Sequence, residues 1–118
     1  MKTIVLLSIF FLSTASFSRT TISFNHDHTL WQAVLDKHHK YEGKQALFNY
    51  KSASNDNNLK AYLTSVSTVT RENYNNFSED QKLAFLINAY NAFTVKLVIK
   101  NYPIKSIKKV SGTLKLDQ

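Results

Sequence analysis

Within the phrase LAFLINAYNAFTV, Leu83 to Val95, two carboxamides stand three residues apart, Asn88 and Asn91, with Tyr90 between them. On a helix that spacing puts both amides on one face. A carboxamide left without a partner in apolar surroundings costs about 1–3 kcal/mol. The pair therefore has two uses. It can tie neighbouring loops or a strand to the helix through backbone hydrogen bonds, or it can line a polar pocket with Tyr90 and hold a ligand. The structural use is the expected one. Asparagine has no titratable proton for acid–base work and no nucleophile–base pair accompanies it, so no catalytic residue is assigned.

Four histidines form the other candidate chemistry: His26, His28, His38 and His39. Imidazole is a common ligand of zinc and copper. The two pairs flank a predicted helix and stand roughly 15 Å apart at 1.5 Å per residue. Neighbouring histidines on a helix also point in different directions. Neither a metal site nor a cofactor is predicted. The sequence holds no Gly-x-Ser-x-Gly elbow and no HExxH motif. It holds no cysteine either, which excludes disulfide staples, cysteine nucleophiles and thiolate metal sites.

The element that must position Asn88 and Asn91 runs from Ser78 to Pro103. Ser78 and Gln81 have capping-box spacing. Glu79 and Asp80 suit the positive end of the helix dipole, and Lys96 and Lys100 the negative end. Pro103 disfavours helical geometry at Tyr102, so the helix is expected to stop near Asn101. Projection at about 100° per residue leaves one narrow polar stripe, Lys82, Ala89, Lys96 and Lys100. A helix apolar on most of its circumference belongs inside a domain, so Leu83 to Ile99 is predicted to be covered on nearly every side.

Two amphipathic helices are expected to flank it. The first starts at Thr29, in capping-box spacing with Gln32, and carries Leu30, Trp31, Val34, Leu35, His38 and Tyr41 on one face up to a stop at Gly43. The second starts at Asn55 or Asp56, with Leu59, Tyr62, Leu63 and Val66 at helical spacing. Ser52 to Asn58 reads as a turn, and Ser65 to Asn76 as a connection. Gln45 to Tyr50 and Thr113 to Leu116 read as short strands, each the other's only evident partner. The expected class is α+β, mainly α, and an incomplete domain, since the sequence ends as a strand begins.

The chain has 118 residues and a formal charge of +7. Residues 1–18 have the three-part layout of a secretory signal peptide: Met1-Lys2, an apolar run from Thr3 to Leu12, and small residues that allow cleavage after Ala15 or Ser18. The run is short for a membrane span of about 20 residues, with an uncleaved anchor as the alternative. Residues 19–28 read as a loose lead-in and 29–118 as the domain. The core helix reads as too polar for a span, because Asn88, Asn91 and Lys96 are costly in lipid. The export of a soluble mature chain follows as an expectation. Its charge is then +6 without Lys2, with the excess late, at Lys96, Lys100, Lys105, Lys108, Lys109 and Lys115. These lysines are spread, with no arginine fork or aromatic platform. They predict weak electrostatic contact with anionic surfaces and no specific nucleic-acid binding; no partner is assigned.

Gln81 to Ile107, QKLAFLINAYNAFTVKLVIKNYPIKSI, resembles the family catalogued as domain of unknown function 547, whose usual form has tryptophan where Leu86 stands. The similarity extends from His28 to Val110, with weaker signals at Trp31, Gly43, Tyr50 and Leu59 to Leu63. It implies an N-terminal part of that domain, in which Asn88, Tyr90 and Asn91 are the signature, and it brings no assigned activity. Full-length members continue into a segment with histidine and a Cys-Pro pair. An exported binding or structural module at the cell envelope is the expected function. The alternative is the N-terminal portion of a hydrolase whose remaining catalytic part lies outside this sequence, and a third is a remnant left by a premature stop.

Overall fold

The computed structural model describes residues 15–16 and 23–104. The predicted signal region, apart from Ala15 and Ser16, and the predicted strand Thr113 to Leu116 lie outside them. The described residues form an α+β structure, mainly α. In order it comprises α1 (Thr29–His38), β1 (His39–Glu42), β2 (Gln45–Phe48), α2 (Tyr50–Ala53), α3 (Asn57–Ser67), α4 (Arg71–Asn75) and α5 (Glu79–Lys100).

The core lies where α1, α3 and α5 meet, around Trp31, Val34, Leu59, Tyr62, Leu63, Val66, Ala92 and Val95. The Trp31 and Tyr62 rings stack at 5.8 Å between centroids, joining α1 to α3. Asp56 caps α3, accepting from the amides of Asn58 and Leu59, and the apolar spacing of this helix is as expected. Both flanking helices of the predicted architecture are present.

Four local features differ from expectation. Thr29 and Gln32 form no capping box. The N-cap of α1 is His28, in the left-handed region at φ 51°, while Gln32 Nε2 donates to Asp36 instead. The helix also ends early, at His38, and Tyr41 lies in a strand. β1 and β2 pair antiparallel with Glu42 opposite Gln45, so Gly43 and Lys44 form a two-residue hairpin turn. Gly43, at φ 60°, takes the positive φ that such a turn needs at its first central residue. The partner of Gln45–Phe48 is therefore its sequence neighbour, the cheapest pairing available to a strand. Third, the segment read as a connection contains α4, closed by a capping box between Thr70 and Asn73, and α2 occupies part of the segment read as a turn. Finally, the lead-in is docked: Phe24 packs edge-on against Phe85 at 5.1 Å and lies 6.1 Å from Phe77.

The largest departure concerns α5. Its ends are as predicted, with a Ser78–Gln81 capping box and a C-cap at Asn101. Its coverage is one-sided. Ala92, Val95 and Val98 are buried along the arc that meets α2 and α3. Leu83, Leu86, Ile87, Tyr90 and Phe93 on the other arc are 39–73% exposed. Two short helices and α3 do not have the width to enclose a 22-residue rod. Among the described residues α5 is also long and apolar enough to cross a membrane by length and composition. The packing of Ala92, Val95 and Val98 joins it to the domain.

The two arcs should respond differently to substitution. Ala92→Leu, on the closed side, should destabilise the chain by about 1–3 kcal/mol through overpacking. Leu86→Gln, on the bare side, should stay within about 0.5 kcal/mol. Urea unfolding followed by Trp31 fluorescence measures both. A large loss for Leu86→Gln would mean that this arc is covered in solution.

Candidate functional site

The buried polar groups among the described residues fall into two clusters, one at each end of α1. At the C-terminal end, His38 is almost fully buried. Its Nε2 lies 2.6 Å from Asp56 Oδ2 and its Nδ1 2.7 Å from Ser52 Oγ. A carboxylate only accepts, so His38 Nε2 carries a proton and donates it to Asp56. Ser52 Oγ is also 3.2 Å from the Asn49 carbonyl, to which it can donate. Burial alone would raise the Asp56 carboxyl. Hydrogen bonds from His38, Asn58 and Leu59, helped by the Lys37 charge, outweigh it and hold the group below its ordinary value.

Serine, histidine and aspartate in hydrogen-bonded sequence are the parts of a nucleophilic triad. Here the surroundings give them another task. Asp56 also caps α3, and Ser52 lies in a single-turn helix with its hydroxyl within reach of the Asn49 carbonyl. Neither of the two best-formed cavities among the described residues is lined by Ser52. The cluster binds the end of α1 to α2 and to the start of α3.

At the N-terminal end the geometry is open. A groove of about 1020 Å³ lies between the lead-in, α3 and the α4–α5 connection. That volume is at the upper end of the range for ligand pockets, about 300–1,000 Å³. Phe24 and Phe77 contribute half-buried aromatic surface, Tyr62 and Ser65 come from α3, and Asn73, Asn76 and Gln81 bring amides. His28 Nδ1 is 2.7 Å from the Tyr62 hydroxyl. Burial pushes the Tyr62 phenol up to about 12, so it keeps its proton. Burial, with the neighbouring His26, pushes His28 down despite the opposing Asp27 charge, which favours a neutral ring.

Two ring nitrogens of groove-lining residues are unused by the protein and lie behind its surface. His28 Nε2 and His26 Nδ1 are buried and make no hydrogen bond within the chain. In a folded protein such atoms are uncommon and call for a partner. His28 reaches its place through a left-handed backbone, rare outside glycine though less so for histidine, asparagine and aspartate. Strained backbone of this kind concentrates at functional sites. His26 packs edge-on against Phe77 at 4.4 Å, so both rings are fixed. Whichever nitrogen of a neutral His28 holds the proton, Nε2 presents one donor or one acceptor.

The residues singled out from the sequence are placed elsewhere. Asn88 is half-buried on the packed side of α5, while Asn91 and Tyr90 are exposed, Tyr90 at 73%. None of the three lines the groove, and the described residues build no buried network around them. The histidines are separated as expected, and among the described residues no three His, Cys, Asp or Glu side chains gather where a metal could bind. Sequence reasoning missed the groove because it weighed the histidines only as metal ligands. The available signal was the alternation of aromatic, amide and imidazole in Phe24 to His28.

Residues 74–116 match the model of a family described as protein of unknown function, DUF547. The resemblance to DUF547 is shown over that segment. It begins in α4, takes in all of α5 and contributes Asn76, Phe77 and Gln81 to the groove. Trp31, Gly43, Tyr50 and Leu59 to Leu63 lie outside the match, as do His26, His28 and Tyr62. No curated protein and no solved structure was found to match the chain.

The Asp56 cluster makes a stability prediction. Asp56→Ala removes the cap of α3 and leaves His38 buried without its acceptor, and should cost about 2–4 kcal/mol. Asp56 has a folded-state pKa below the ordinary 3.8. It therefore stabilises the fold above that value, and the contribution is lost as pH falls through the lowered one. Urea midpoints compared between about pH 6 and pH 3 should fall less for Asp56→Asn than for the parent chain.

Proposed function

We propose that the chain is an exported binding module of the cell envelope, and that its ligand occupies the groove beside His28. The observation that carries this reading is the concave surface itself, about 1020 Å³ in volume and lined by aromatic, imidazole and amide side chains. The signal-peptide layout of residues 1–18 supports export.

A fragment screen by ligand-observed NMR tests the groove. Fragments that bind the parent chain should be lost with His28→Ala, and a set that binds His28→Ala equally well would place the site elsewhere. Export is tested by expressing the chain with its leader in a bacterium and sequencing the N-terminus of the recovered protein. The expected start is Ser16 or Arg19 in the envelope fraction, and an intact Met1 in the cytosol would refute it.

The Ser52–His38–Asp56 chain supports a second reading, a hydrolase. A fluorophosphonate probe separates the two. No labelling of Ser52 is expected; labelling abolished by Ser52→Ala would move the protein to the hydrolases.

A further inference from the structure

We infer that the groove is built for an uncharged glycan, an inference that rests on the groove being the ligand site. Among the described residues no lysine, arginine, aspartate or glutamate lines it, although the chain carries a formal charge of +7. A site for nucleic acid, an acidic glycan or a phosphorylated ligand would place cations on its wall. This wall excludes them and is therefore suited to a ligand without charge.

The polar groups that remain are ordered by what they still offer. The hydroxyl protons of Thr64, Ser65 and Thr68 are donated to carbonyls of α3, leaving oxygen lone pairs toward the groove. Asn73 and Gln81 use their amide oxygens in the caps of α4 and α5, which leaves their NH₂ groups as donors. Acceptors thus stand on one wall and donors on the other. A sugar hydroxyl donates and accepts at once, so it suits both walls. The half-buried faces of Phe24 and Phe77 supply the flat apolar surface that the C–H face of a pyranose covers. Leu30 and Val69 are the larger aliphatic side chains of the lining, a thin supply of anchors for an extended peptide.

The test is a ¹H–¹⁵N titration of the 118-residue chain with uncharged tetrasaccharides (chitin-, cellulose- and maltose-derived). A heparin tetrasaccharide and a neutral Gly-Ser-Phe peptide serve as comparisons. At least one uncharged glycan should shift the resonances of Phe24, His28 and Phe77. Its affinity should change by less than about twofold between roughly 50 and 500 mM salt. Phe77→Ala should weaken it about tenfold. Because that variant removes packing as well, Asn76→Ala, an exposed groove residue, is the gentler probe and should weaken binding severalfold with the fold intact. Binding of heparin alone, or affinity that collapses with salt, would overturn the inference. Shifts at the same residues with the peptide alone would refute the glycan and leave the groove as the site. Groove resonances untouched by every probe and by the fragment screen would refute both.

Discussion

The Asp56 carboxylate is the point at which the local elements are joined. One oxygen accepts the first amides of α3 and the other accepts from His38, the last residue of α1. His38 reaches Ser52 in α2 with its second nitrogen. Two groups that would each be expensive to bury alone, the Asp56 carboxylate and the His38 ring, are satisfied together, which is the condition under which a buried polar network is tolerated. The apolar contact between α1 and α3 through Trp31, Val34, Tyr62 and Leu63 then closes with its register already set. The same pin stops α1. Once His38 is held by Asp56, the chain turns from helix to strand at His39, which is extended at ψ 137°.

This explains which parts of the fold were legible in the sequence. Caps that depend on neighbours in sequence were read correctly at Ser78 and Gln81, as was the apolar spacing of α3. The end of α1 was not legible, because Tyr41 continues the helical spacing and the competing force acts from Asp56, distant in sequence. Gly43 signalled a positive φ, but both a helix stop and a hairpin use one. The Thr29–Gln32 spacing failed because His28 takes the cap position in order to reach Tyr62. The histidines were visible while their roles were not, since the groove is assembled from three separated segments.

Two surfaces of opposite chemistry result. The groove, as the described residues build it, is polar and without charged side chains. The outer arc of α5 is apolar, with Lys82, Lys96 and Lys100 along one flank at helical spacing. The resemblance to DUF547 spans both, because its matched segment contributes one wall of the groove as well as the whole of α5. A family signal centred on α5 therefore does not favour Asn88 and Asn91 over the groove as the seat of function.

The exposed arc of α5 is more than the described fold requires. Full burial of a leucine, isoleucine or phenylalanine gains about 1.5–3 kcal/mol, and Leu83, Leu86, Ile87 and Phe93 obtain only part of it. The helix keeps its length all the same, because its hydrogen bonds are internal and its caps are sequence-local. Backbone order in α5 and coverage of its side chains are thus separable. The error in expecting full coverage lay in treating apolar composition as evidence of burial. Composition states what a surface would gain by being covered, and only the neighbouring elements decide whether anything covers it. Among the described residues the chief neighbours of α5 are α2 and α3, on the side of Ala92, Val95 and Val98, with Phe24 and Tyr74 touching Phe85 near its start.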